Sequence, residues 1–188
     1  ILNCIAYTNT YDSKKTLHWE TNYIGLTRLV DFCSVNNKRL IHISTDYVYA
    51  NCKKSDVSEE DVPVHHETWY GYTKLLGDAY IELKLKNYLI IRTSHKPYPF
   101  PYKMAWHDQL TNGDYVNVIS DLIIKLVNEN VNGIFNLGTK KKNWYELTKD
   151  EFKTSPCDRF EDAPSDITMS LSKLNSILQL QSTNTLIN

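Results

Sequence analysis

Tyr70 and Lys74 stand four positions apart in a stretch, Tyr70 to Leu85, whose pattern predicts a helix. Their side chains therefore share one face, a turn apart. A phenol beside an ammonium is suited to proton transfer. A free tyrosine, with a pKa of about 10, holds its proton too tightly to exchange it readily near neutral pH, and a neighbouring cation lowers that value by favouring the phenolate. Upstream, Ser44-Thr45-Asp46-Tyr47-Val48-Tyr49 follows the run Arg39 to Ser44, which reads as a buried parallel strand. Thr45, at the end of that strand, offers a hydroxyl to the same substrate oxygen. A proton donor, its tuner and an orienter together make a general-acid set.

The elements that must position this set alternate along the chain. Ile1 to Ala6 reads as an apolar strand, and Asp12 to Asn36 as one long helix or two abutting ones, since Leu17, Tyr23, Ile24, Leu26, Leu29, Val30, Phe32 and Cys33 recur mostly at helical spacing. The polar stretch Ala50 to Thr68 is a loop of the kind that carries binding residues at the carboxyl ends of strands. Asn87 to Ser94 is a further strand. The prolines of His95 to Asp114 exclude a regular helix there. Tyr115 to Asn130 is an amphipathic helix, Gly133 to Gly138 a returning strand, Trp144 to Phe152 and Ser170 to Leu178 small helices, and the tail from Gln179 is weakly patterned. Strands alternating with helices predict an α/β fold, a Rossmann-like doubly wound parallel sheet with a small, mostly helical substrate lobe. Residues 1–95 form the cofactor-binding core in this reading. Residues 96–188 supply the lobe, together with a helix and strand of the core at about 114–138.

Composition narrows the function classes. The 188 residues carry 21 basic and 22 acidic side chains, a net charge of −1, so no broad electropositive field points to nucleic acid. No apolar run approaches the roughly 20 residues needed to span a bilayer, and a cytoplasmic protein is the default expectation. Cys4, Cys33, Cys52 and Cys157 are scattered without zinc spacing. Cys4 and Cys33 read as buried thiols. His65-His66-Glu67 lacks a third ligand, so no metal is expected, and Lys140-Lys141-Lys142 reads as a solvated turn.

Ser44-Thr45-Asp46-Tyr47-Val48, followed by Tyr70-Gly71-x-Thr73-Lys74-x-x-Gly77-Asp78, resembles the extended short-chain dehydrogenase/reductases, and within them the dTDP-4-dehydrorhamnose reductases. Ala6-Tyr7-Thr8, Asn22, the Arg92-Thr93-Ser94 strand end and Asp108-Gln109 with Gly113 extend the likeness, which is strongest from Ile1 to Arg92. The resemblance implies reduction of a 4-keto-6-deoxy sugar nucleotide by NADPH or NADH. Thr45, Tyr70 and Lys74 would be catalytic. Ala6, Tyr7, Ser44, Tyr70, Lys74 and Arg92 would lie at the cofactor, and Thr45, Asp46, Trp106, Asp108 and Gln109 at the nucleotide-sugar substrate. A homodimer is compatible with it. The family's Gly-x-x-Gly-x-x-Gly turn does not occur in these residues, so an amino-terminal truncation is expected, and the short span before Asp108 suggests a reduced substrate lobe. Two other activities exist on the same scaffold: a non-catalytic regulatory subunit, and sugar-nucleotide epimerases or dehydratases.

Overall fold

The structure is a computed structural model describing residues 1–184, with side chains to Gln179. In chain order its elements are β1 (Leu2–Asn3), α1 (Lys15–His18), a π-helical segment (Trp19–Ile24), α2 (Gly25–Val35), β2 (Leu40–Thr45), a 3-10 turn (Asp46–Tyr49), α3 (Trp69–Lys84), β3 (Tyr88–Thr93), β4 (His95–Lys96), β5 (Met104–Trp106), β6 (Leu110–Thr111), β7 (Asp114–Tyr115), α4 (Val116–Asn128), β8 (Gly133–Asn136), β9 (Lys142–Asn143), α5 (Trp144–Phe152), β10 (Ser155–Cys157) and α6 (Ser172–Asn184). The chain divides into two units. The first comprises residues 1–53, 62–92 and 132–135, and the second residues 54–61, 93–131 and 136–188. The returning strand expected near 133 thus falls in the first unit, and its helix α4 in the second. The weakly patterned tail from Gln179 forms the end of α6 as far as Asn184, and residues 185–188 lie outside the described residues.

In the first unit a four-stranded sheet has the order β1-β2-β3-β8, with β1 parallel to β2. Its register sets Asn3 beside His42. Leu26, Val30 and Cys33 of α2, Leu40 of β2, Ile81 of α3, Leu85 just beyond it and Ile90 of β3 form one apolar cluster. Each such side chain contributes about 1.5–3 kcal/mol when fully buried. Cys33 sits there as expected, but Cys4 is exposed. The reason is topological, because Cys4 follows the strand at the sheet's edge.

The long helix predicted before β2 is continuous in backbone, but its middle is π-helical from Trp19 to Ile24. α3 begins at Thr68, whose extended backbone and side-chain oxygen cap the Gly71 amide. Its buried stripe, Thr73, Lys74, Gly77, Asp78 and Ile81, holds chemistry and packing on one face. Gly77 permits the approach to α2, since a Cβ there would meet Leu26 Cδ2 at 2.6 Å.

In the second unit Phe100, Ala105, Tyr115 and Trp144 form a separate core. α5 starts with a capping box, in which Asn143 and Glu146 satisfy each other's backbone amides. The Lys140–Lys142 turn is not wholly solvated. Lys142 is buried and paired with Asp114 at 2.5 Å, because the β6–β9 pairing carries it inward, while Lys141 reaches Asp166.

Candidate active site

β2 delivers the first half of the site and α3 the second. Alternation along β2 buries Leu40, His42 and Ser44, and the strand ends at Thr45 with a backbone still extended. Thr45 Oγ1 accepts from the Tyr47 amide at 3.2 Å and donates to Asp46 Oδ1 at 3.1 Å. The same hydroxyl stands near enough to Tyr70 to lower its phenol.

The electrostatics differ from the sequence expectation. Burial around the hydroxyl pushes the Tyr70 phenol up to about 12, Thr45 pulls it down, and the charges of Asp46 and Asp78 raise it further. The ring itself keeps part of its surface open. Lys74 does not offset this. Its Nζ turns away to the Ile43 carbonyl at 2.7 Å and to His42 Nε2 at 3.0 Å. Burial lowers the amine to about 8, with Asp78 and Cys4 opposing.

Rings wall the phenol. Tyr47 lies 6.2 Å from Tyr70 and His18 6.3 Å, both edge-on, and Tyr11 bonds Tyr47 hydroxyl to hydroxyl at 2.7 Å. Asn22, carried by the π-helical segment, clamps Tyr7 on both backbone sides: Oδ1 accepts from the Tyr7 amide at 2.7 Å, and Nδ2 donates to its carbonyl at 3.0 Å. The Tyr7 hydroxyl donates to Asp12 at 2.6 Å, which raises the phenol and lowers the carboxyl. Ala6, next to this clamp, is half-buried. Ser44 is buried and its Oγ has no partner. Asp46 is fully buried.

Four other expected site residues hold partners within the protein. Arg92, 1% exposed, donates to Asp78 at 3.0 Å and to Tyr49 at 2.5 Å, so its guanidinium braces α3 from within. Gln109, in the second unit, is buried between Pro164, whose carbonyl takes its amide, and the Trp144 indole, whose N–H it accepts. Asp108 is held by Arg159 at 2.7 Å, and Trp106 packs on Phe160 under Lys96. His65 binds the Tyr47 carbonyl and Thr68, and a Cβ at Gly71 would strike its ring at 2.5 Å. That imidazole explains the glycine within the Tyr70–Lys74 turn.

His42, His18 and Tyr11 were not singled out from sequence. A histidine at an inward position of an otherwise apolar strand is the signal for the first, since a buried imidazole needs partners. Burial lowers His42 well below the ordinary value of 6.5, and lowers His18, His65 and His95 as well. Folded values below the unfolded one mean that the unfolded chain binds more protons in that window. The stability these neutral rings allow is full above about pH 6.5 and is lost as pH falls. The melting temperature is expected to fall between about pH 7 and about pH 5, and less steeply in His42→Gln. Equal slopes for the two proteins would remove His42 from this account.

Residues 1–95 match the family model described as the RmlD substrate binding domain. The chain belongs to that family. Among RmlD-domain relatives, it is 29% identical over 165 residues to the spore coat polysaccharide biosynthesis protein SpsK of Bacillus subtilis (strain 168), covering 78% of this chain and 58% of that protein. It is 28% identical over 192 residues to the dTDP-4-keto-6-deoxy-D-glucose reductase of Streptomyces niveus, covering 88% and 65%. The chain thus spans less than two thirds of either relative. The crystal structure of dTDP-4-dehydrorhamnose reductase from Bacillus anthracis str. Ames in complex with NADP superimposes with a TM-score of 0.80 at 22% identity, over 94% of this chain and 73% of that one. The Rossmann-like α/β fold read from the sequence is therefore the fold of the RmlD-domain chain. Among its described residues, no helix is long and apolar enough to cross a membrane.

Proposed function

We propose that this chain carries the catalytic residues of an NADPH- or NADH-dependent ketoreductase whose substrate is a 4-keto-6-deoxy sugar nucleotide. The observation that carries the reading is the placement of the Thr45 hydroxyl at the end of β2, where it lowers the Tyr70 phenol, with Lys74 one turn along α3. The names of the relatives favour the same substrate class. A cytoplasmic location and a homodimer are compatible with this reading.

The donor set fits the nicotinamide-ribose end of a dinucleotide: Lys74 Nζ, the Tyr70 hydroxyl and Ser44 Oγ, a buried oxygen with no partner. No glycine-rich turn for the pyrophosphate occurs among the 188 residues. When bound, the reduced dinucleotide supplies hydride to the carbonyl carbon. Tyr70 gives its proton to the oxygen on which negative charge develops, and Thr45 hydrogen-bonds that oxygen and fixes its direction. A phenol at about 12 is fully protonated at neutral pH, yet it remains a stronger acid than the alcohol that forms when the alkoxide takes its proton. It is therefore held in the form that reduction needs. Incubating the full-length protein with a dTDP-4-keto-6-deoxyhexose and following the absorbance of NADPH or NADH tests the reading. Substrate-dependent oxidation is expected, and its absence with both dinucleotides would leave the non-catalytic alternative standing.

Asp46 separates plain reduction from epimerisation. Its carboxylate is buried and accepts from Thr45, which makes it an anchor of the 3-10 turn rather than a base facing substrate. In deuterated water, without reduced dinucleotide, the keto-sugar is expected to gain no deuterium at the carbons flanking the carbonyl. Exchange that disappears in Asp46→Asn would make Asp46 an epimerisation base.

A further inference from the structure

The three side chains Asn3, His42 and Lys74 form a buried line beneath the site, each less than a tenth exposed. Strand pairing sets the first two side by side, with Asn3 Nδ2 3.0 Å from His42 Nδ1, and His42 Nε2 3.0 Å from Lys74 Nζ. The direction of the Asn3 amide is not free. Its Oδ1 accepts the Ile5 backbone amide at 3.1 Å, and turning it over would set two donors against each other. Nδ2 therefore faces the ring and donates, so Nδ1 of His42 must be the bare, accepting nitrogen. A neutral imidazole carries one proton. It is then on Nε2 and points at Lys74 Nζ.

An ammonium has three donors and no acceptor, whereas the free amine has a lone pair. Nζ can receive the Nε2 proton only as the amine, while one of its own hydrogens still serves the Ile43 carbonyl. We propose that Asn3 and His42 are positioning residues, a tautomer lock that favours the uncharged amine of Lys74 and so sets the pH at which the site loses its cation. Of the groups around Nζ, Tyr70 shares its helix, and Asp78 on that helix and Cys4 beyond β1 act against the lock by favouring the charged form. Burial works with the lock, and the amine stands at about 8. The proposal deepens the reductase reading of this site and rests on it for its catalytic meaning only. The lock itself is a property of the folded chain.

The test is NMR of the full chain with labelled histidine nitrogens and lysine Cε, without substrate or dinucleotide. In the unsubstituted protein His42 is expected to show a protonated Nε2 and a bare Nδ1, and Lys74 to titrate near 8. Asn3→Asp replaces the donor facing Nδ1 with an acceptor. It is expected to move the ring proton to Nδ1 and to raise the Lys74 midpoint by about one pH unit or more. Because a carboxylate also attracts the cation through space, the tautomer is read together with the midpoint. His42→Gln, which can accept from an ammonium, is expected to raise the midpoint as well, and the alkaline limb of the turnover profile to follow it. A proton on Nδ1 in the unsubstituted protein overturns the lock, as does a Lys74 midpoint that neither variant moves. Both readings are taken without turnover, so an intact lock in a protein that fails to oxidise NADPH would count against the reductase reading alone.

Discussion

Tyr70→Phe is expected to lower turnover by about a hundredfold or more while leaving the fold intact, the usual scale for removing a general acid. The substitution takes away one oxygen and its proton. The ring contacts to Tyr47 and His18 depend on the aromatic face and edge, which phenylalanine keeps. Thr45 still donates to Asp46 and accepts from Tyr47, so the strand end holds its shape. Steady-state rates for Tyr70→Phe beside its thermal melt decide the matter. Near-normal turnover would sink the assignment, and a collapsed melt would show the phenol to be structural instead.

Arg92→Met is the largest stability change foreseen. Asp78 is fully buried, and its Oδ2 has the Arg92 guanidinium at 3.0 Å. Removing the cation alone strands a carboxylate inside the protein, at a cost of about 3–5 kcal/mol. For a chain of this size that corresponds to a melting temperature lower by roughly 6–20 °C. Replacing both partners, Arg92→Met with Asp78→Leu, is expected to restore most of the loss, because an apolar pair of similar volume leaves no charge unsolvated. Thermal melts of the single and double variants test this; if the double variant melts no higher than the single, Arg92 acts through its Tyr49 contact rather than through Asp78.

Local periodicity made much of the site legible. The Tyr70–Lys74 spacing translates directly into one helix face, and the predicted helix 70–85 and strand 39–44 each lie within a residue of α3 and β2. What was not legible depends on register and topology. Nothing near Cys4 says that its strand is an edge, and nothing near Lys142 says that Asp114 awaits it. The direction of Lys74 Nζ was hidden for a similar reason. Spacing placed the two on one face, but β2, remote in sequence, supplies the carbonyl and imidazole that draw Nζ aside. Gln109 sits in a matching motif and is nonetheless consumed by Trp144 and Pro164, which lie far along the chain.

The π-helical turn from Trp19 to Ile24 has a consequence for how this helix tolerates insertions and deletions. Such a turn accommodates one residue more than an α-helix would in the same span. Deleting Glu20 would let the helix regularise at little cost in hydrogen bonds, with both flanks keeping their faces. The residues inside the turn would shift instead, carrying Asn22 off the Tyr7 backbone that it clamps. Circular dichroism of the deletion variant is expected to keep its helical signal while turnover falls, and a variant with full turnover would show that the extra residue is a neutral insertion.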